Sequence, residues 1–213
     1  LLVHSKNKIK LIGDKSLATR DFFRVIKPLE KFGASFKSNS GKLPIEIKGV
    51  NNPRPIRYNE NKGSAQCKSA VMLAALNTKG QTIIKAKKSR NHSELLFKYL
   101  KLPIRVINKN NFDLIKIKGG RKINSFNYKI PSDISSGAFF IALTALSANS
   151  KLKILNVNIN PTRVGMIKIL KMMGVKISFR NIKNYKGEKI ADIHTEYTKS
   201  LKAINCPSKL NSS

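Results

Sequence analysis

Residues 61–94, NKGSAQCKSAVMLAALNTKGQTIIKAKKSRNHSE, set how the rest of the chain is read. The stretch opens on Gly63-Ser64 and enters a run with Ala70, Val71, Met72, Leu73, Ala74 and Leu76. Apolar residues on most sides of one helix predict deep burial rather than an amphipathic surface position. Gly80 ends the helix, Thr82-Ile83-Ile84 reads as a short strand, and Ser89-Arg90-Asn91-His92 forms a polar turn. A helix start carries unpaired N–H groups and the positive end of the helix dipole, both suited to an anion. Arg90 adds a planar fork able to grip two phosphate oxygens. The two segments together suggest a site for a phosphorylated small molecule. Taken alone, Ser64 is equally a routine helix cap and Arg90 a solvated side chain.

Working outward, the same plan recurs. Asn61–Leu76 overlies Pro131–Leu146 at a constant offset of 70, which matches Leu73 to Leu143 and carries Ile84 onto Ile154 and Leu100 onto Leu170. At an offset of 141 the first segment joins, Leu29 on Leu170 and Gly33 on Gly174. Each copy reads as helix, strand, helix, then strands, and the first lacks its opening helix. Repeated βαβαββ units in an α/β protein are the architecture this pattern supports.

In the first copy, Ile9–Ile12 is a strand, with Ser16 or Thr19 placed to cap the following helix. Phe22, Val25, Ile26, Leu29 and Phe32 share one helical face, where Pro28 implies a kink or a late start. In the third copy helices are expected over Ala138–Ala148 and Thr162–Met173, with strands at Leu152–Val157, near Phe179 and at Ile190–His194.

Composition narrows the function classes. At 213 residues and 41% hydrophobic the chain can bury a core of one or two domains. No apolar run approaches the roughly 20 residues a membrane span needs. Cys67 and Cys206 lack metal or redox spacing, and His4, His92 and His194 lack ligand spacing, so a metal site is not expected and Cys67 reads as a reduced structural thiol. The net charge of +31 favours anionic partners. The lysines are scattered, however, without the basic block or aromatic–basic sheet signature of a nucleic-acid module, which stays the competing reading of another class. The opening LLVHSKNKIK has no signal-peptide arrangement, and both ends read as those of a fragment.

Colinear motifs bring in a family. Gly63-Ser-Ala-Gln-Cys-Lys-Ser-Ala70, Leu73-Ala-Ala-Leu76, Gly80 and Ser89-Arg-Asn-His-Ser-Glu94 resemble the 5-enolpyruvylshikimate-3-phosphate synthases. Gly13-Asp-Lys-Ser-Leu17 with Arg20, Asp133-Ile-Ser-Ser-Gly-Ala-Phe139, Asn158-Ile-Asn-Pro-Thr-Arg163 and Leu170-Lys-Met-Met-Gly174 fit in the same order. Asp21 stands where that pattern has proline, Asn91 where it has Asp and Gly137 where it has Ala.

The resemblance implies an inside-out α/β barrel of the enolpyruvyl transferase type, with helices inside, sheets outside and substrates between two domains. Residues 1–127 would be part of one domain and 128–213 part of the other. It implies transfer of the enolpyruvyl group of phosphoenolpyruvate to shikimate 3-phosphate in chorismate biosynthesis, with no metal or organic cofactor. Ser64, the Ala65 backbone, Gln66, Ser89 and Arg90 would hold shikimate 3-phosphate, and Arg20 and Gln66 phosphoenolpyruvate. The family's Gly-Ser-Lys-Ser segment would precede Leu1, and its catalytic acid would follow Ser213, leaving no catalytic residue here and the chain alone inactive. A monomeric cytoplasmic enzyme, binding neither nucleic acid nor membrane, is the corresponding expectation. The sister transferase acting on UDP-N-acetylglucosamine is the nearest rival, and its Cys-bearing loop has no counterpart here. His92 reads as structural, since no carboxylate lies at useful spacing.

Overall fold

The computed structural model describes residues 1–120, 123–207 and 210. Two compact units are present, one of Leu1–Lys88 with Leu100–Asn124, the other of Ser89–Tyr99 with Ser125–Ser213. The sequence reading puts the helix after Ser89 with residues 1–127; it packs within the second unit.

The first unit begins with a 3-10 turn at Leu2–His4, then β1 (Lys8–Leu11), α1 (Lys15–Ala18), α2 (Phe23–Glu30), β2 (Ser35–Asn39) and β3 (Lys42–Lys48). Neither Ser16 nor Thr19 caps these helices. The Asp14 carboxylate accepts the Leu17 N–H at 2.6 Å, and Asp21 accepts that of Phe23 at 2.7 Å. A carboxylate suits a helix start better than a hydroxyl because its charge also meets the helix dipole. Helix α2 runs through Pro28 rather than starting at it, with the proline ring buried.

The second copy is β4 (Arg57–Glu60), α3 (Ala65–Asn77), β5 (Gly80–Lys87), α4 (His92–Tyr99), β6 (Ile104–Asn108) and β7 (Phe112–Gly119). The third is α5 (Ile134–Leu146), β8 (Lys151–Asn158), α6 (Gly165–Met172), β9 (Ile177–Tyr185) and β10 (Glu188–Glu196). Helix α5 starts four residues before its apolar pattern because the Asp133 carboxylate accepts the N–H groups of Ser135 and Ser136. Helix α6 starts later than expected, since Asn160 Oδ1 accepts the Thr162 N–H at 2.8 Å and makes a turn of that segment.

Sheet order exposes the repeat more plainly than residue identity does. The sheets run β1-β3-β2, β4-β5-β7-β6 and β8-β10-β9. The strand before the second helix always sits beside the last strand, which separates it from the one between them. The second copy adds β4, parallel to β5. In the third copy the isolated parallel bridge between Ser132 and Val157 takes the corresponding place. A parallel pair needs a crossover, and α3 supplies it for β4 and β5.

Strand alternation directs the sheets onto the helices. Thr82, Ile84 and Ala86 of β5 pair with Ile117, Ile115 and Asp113 of β7, all buried, and both strands pack on α3. Helix α3 buries Cys67, Lys68, Val71, Met72 and Ala74–Leu76, while Ala70 is half-buried and Leu73 is 36% exposed. In the second unit Ile134, Ile141, Val157, Ile167, Leu170 and Ile193 form the main core. Lysines take the outward strand positions, Lys8 and Lys10 on β1, Lys85 and Lys87 on β5, Lys151 and Lys153 on β8. That alternation accommodates much of the positive charge without burying it. Among the described residues no helix is long and apolar enough to cross a membrane, and no His, Cys, Asp and Glu cluster suits a metal ion.

Candidate functional site

Strand β4 ends at Glu60, whose buried carboxylate accepts the N–H groups of Lys62 (3.1 Å) and Gly63 (2.9 Å). This shapes the turn that delivers Ser64 to the start of α3. Ser64 is the N-cap, with Oγ accepting the Cys67 N–H at 3.2 Å. A hydroxyl oxygen that accepts still has its own O–H to donate. Capping and ligand binding are therefore compatible in the same side chain. The N–H groups of Ala65 and Gln66 have no acceptor within the helix and point out of its first turn.

Gln66 is exposed, and its Oε1 accepts from Arg24 Nη2 at 2.7 Å. That bond ties the first turn of α2 to the first turn of α3, and Arg20 lies three residues before α2. With the Gln66 carbonyl oxygen held by Arg24, the amide presents its N–H donors to solvent. Arg20 is exposed and has no ion-pair partner among the described residues; Asp21 turns instead to the Phe23 N–H.

Strands β4 and β5 are parallel, so both end at one edge of their sheet. The open edge at the carboxyl ends of parallel strands is the usual place for ligands in α/β folds. The Gly63 backbone lies against the Lys88 carbonyl, 3.5 Å from where a side chain would begin. Ser89 and Arg90 follow Lys88 directly in the chain and belong to the second unit. Ser89 Oγ is buried without a hydrogen-bond partner among the described residues, while Arg90 is exposed.

Within the second unit, a hollow of about 320 Å³ is lined by His92, Tyr128, Asp133, Arg163, Lys186 and Glu188 among others. Arg163 Nη2 donates to Asp133 Oδ1 and to Ser135 Oγ, each at 2.6 Å. Burial alone would raise the Asp133 carboxyl; the Ser135 and Ser136 donors and the Arg163 charge outweigh it and hold the group below its ordinary range. Cys67 is buried and Cys206 exposed, and among the described residues neither forms a disulfide.

The residues of the first unit named from the sequence, Arg20, Ser64, Ala65 and Gln66, thus lie at the joined starts of α2 and α3, while Ser89 and Arg90 lie just before α4. Sequence reading passed over Arg24, Glu60 and Glu188. Arg24 stands four residues after Arg20, a helical spacing that could have flagged it. The two glutamates are conspicuous in a chain with 11 acidic residues against 42 basic ones. His92 does meet a carboxylate, contrary to the expectation from spacing: Glu188 Oε1 lies 2.5 Å from its Nδ1, across 96 residues of chain.

The family model for EPSP synthase (3-phosphoshikimate 1-carboxyvinyltransferase) matches residues 1–209. The chain belongs to the EPSP synthase family. It is 43% identical over 211 residues to a 3-phosphoshikimate 1-carboxyvinyltransferase from Ruthia magnifica subsp. Calyptogena magnifica, covering 99% of this chain and 47% of that protein. It superposes on EPSP synthase from Acinetobacter baumannii with a TM-score of 0.80 at 35% identity, over 98% of this chain and 47% of that one. The enolpyruvyl transferase NikO from Streptomyces tendae shares the fold, with a TM-score of 0.64 at 12% identity, over 94% of this chain and 46% of that one. The inside-out α/β fold of repeated βαβαββ units and the family expected from the motifs both hold. The UDP-N-acetylglucosamine alternative is not favoured. The chain spans about half the length of the curated relatives it matches.

Proposed function

We propose that this chain supplies much of the substrate-binding machinery of an enzyme that transfers the enolpyruvyl group of phosphoenolpyruvate to shikimate 3-phosphate. In that reaction a substrate hydroxyl gives up its proton as its oxygen bonds to the central carbon of phosphoenolpyruvate, while the methylene carbon takes a proton. The tetrahedral intermediate then expels phosphate and loses a proton from the methyl carbon, restoring the double bond. Both substrates are polyanions, so fixed cations and N–H donors must offset their repulsion and align the reacting atoms.

Ser64, the Ala65 backbone, Gln66, Ser89 and Arg90 bind shikimate 3-phosphate, and Arg20 and Gln66 bind phosphoenolpyruvate. Gln66 acts as a donor to the two ligands, a narrower part than an unconstrained amide would have. Residues 1–127 form part of one substrate-binding domain and 128–213 part of the second, with α4 of the former counted in the compact unit of the latter. The enzyme works as a cytoplasmic monomer without cofactor, nucleic acid or membrane.

One observation carries this reading: the Arg24–Gln66 bond at 2.7 Å joins two helix starts beside Arg20, with Gln66 exposed and its oxygen already engaged. The test is Arg20→Ala and Gln66→Ala in the full-length protein, with fold checked by circular dichroism. Turnover should fall by roughly 100-fold or more in each, as when a transition-state donor is removed; wild-type rates in either variant refute the assignment. The isolated 213-residue chain should give no product. Duplex DNA titrated at two salt concentrations separates the competing class, since tight binding with a steep salt dependence would favour it.

A further inference from the structure

The bend carrying Ser89 and Arg90 is held from behind by a buried polar network. Glu188 Oε1 meets His92 Nδ1 at 2.5 Å, and Oε2 accepts from Asn160 Nδ2 at 3.0 Å. The same Asn160 amide donates to Asn91 Oδ1 at 2.8 Å. Its orientation is decided by chemistry, because Asn160 Oδ1 accepts from both the N–H and the hydroxyl of Thr162, at 2.8 and 2.7 Å. The NH2 group must therefore face the two acceptors. Asn160 is 1% and Glu188 6% exposed.

A second hold involves no side-chain hydrogen bond. Gly187 has φ +90°, and a side chain there would begin 2.9 Å from the Leu95 carbonyl oxygen and 3.2 Å from Tyr99 Cβ. The β9–β10 turn thus lies directly on α4. Asn91 and His92 are the residues immediately after Arg90, so the first hold grips the bend where it enters the helix, and the second fixes the helix itself at Leu95 and Tyr99.

A buried carboxylate is a poor way to gain stability, since apolar packing of the same volume does as well or better. What it provides is fixed geometry, and here that geometry converges on the segment next to Ser89, whose own hydroxyl has no partner among the described residues. We infer that Glu188 and Asn160 are positioning residues, which keep the Ser89–Arg90 bend ordered in advance for the phosphate group of its ligand. Pre-ordering removes the entropy otherwise lost on binding. This rests on the reading of Ser89 and Arg90 as phosphate contacts.

The test uses the 213-residue chain, shikimate 3-phosphate followed by phosphorus NMR, and inorganic phosphate as the control for the general positive field. Glu188→Ala should weaken shikimate 3-phosphate by about tenfold, as expected for losing a hydrogen bond to a charged group. Inorganic phosphate binding should stay unchanged, and amide exchange over residues 89–92 should accelerate. Glu188→Gln, which keeps an acceptor and a donor, should recover most of the affinity, and Asn91→Ala gives the same readouts if the buried variants do not fold. Wild-type affinity and protection in Glu188→Ala and Asn91→Ala overturn the inference. If the wild-type chain prefers shikimate 3-phosphate no more than inorganic phosphate, the functional reading fails. Exchange then decides alone: faster exchange over the bend in the variants supports positioning, and unchanged protection overturns it.

Discussion

Replacing Gly187 with alanine should destabilise the second unit far more than the same change at Gly174. Both glycines have a left-handed backbone, φ +90° and +99°, so both alanines incur the conformational cost of about 1–2 kcal/mol. Reduced freedom of the unfolded chain returns about 0.4–1 kcal/mol at each. The surroundings differ. At Gly174 the nearest atom to a new Cβ is the Ser200 carbonyl oxygen at 3.8 Å, an ordinary contact; at Gly187 the Leu95 carbonyl oxygen is at 2.9 Å. That oxygen belongs to a helix backbone and cannot rotate away, so the turn must lift from α4, a strain of about 1–3 kcal/mol. The expected losses are therefore roughly 1 kcal/mol for Gly174→Ala and roughly 3 kcal/mol for Gly187→Ala. In a protein of this size the difference is about 4–8 °C in Tm. Thermal and urea unfolding of the two variants, followed by circular dichroism, measure it. Equal losses within about 0.5 kcal/mol would show that backbone conformation alone matters and that the turn does not bear on the helix.

Acid should destabilise the same unit. Burial would raise the Glu188 carboxyl, but its bonds to His92, Asn160 and Asn158 hold it below its ordinary value. A carboxyl depressed in the folded state contributes stability above its unfolded pKa of about 4.3, and this is lost as pH falls toward the folded value. Urea midpoints measured from pH 6 to pH 3 should therefore fall less steeply in Glu188→Gln than in wild type; parallel curves would contradict the linkage. In the full-length protein, Arg24→Met should lower kcat/KM by about tenfold through loss of the fixed Gln66 amide, with Arg24→Lys intermediate. An unchanged value would leave the Arg24–Gln66 bond without a functional part. Helix α5 exposes Phe139 (80%), Phe140 (61%), Leu143 (61%) and Leu146 (67%), a contiguous apolar face. Concentration-dependent self-association of the chain is expected in sedimentation velocity, and Phe139→Gln with Leu143→Gln should abolish it; association undiminished by the pair would locate the contact elsewhere.

Periodicity and punctuation carried most of the secondary structure, because they act over a few residues. Gly33 and Gly174 end the helices they were expected to end, and the offsets of 70 and 141 align elements that form the same sheet order. The local misses are instructive. Thr19 was a reasonable cap by residue type, but its hydroxyl donates to the Ser16 carbonyl at 2.8 Å; Asp14 caps α1, and Asp21 accepts the Phe23 N–H just ahead of α2. Ser64 and Gln66 were legible because a helix start announces itself in adjacent residues. The buried acids were not. Glu60, Glu94, Asp113, Glu188 and Asp192 lie inside, and Glu60 and Asp192 accept backbone N–H groups, of Lys62, Gly63 and Asn156.

The sequence by itself determined the three-fold plan, the start of α3 at Ser64, the family and the candidate anion-binding residues, since each is written in short-range pattern or in colinear motif. Only the tertiary structure decided that Arg24 takes the oxygen of Gln66, that His92 meets Glu188 across 96 residues, and that α4 packs with the second unit. The reason is physical: a hydrogen bond between side chains far apart in the chain depends on where the backbone carries them, and no local spacing encodes that distance.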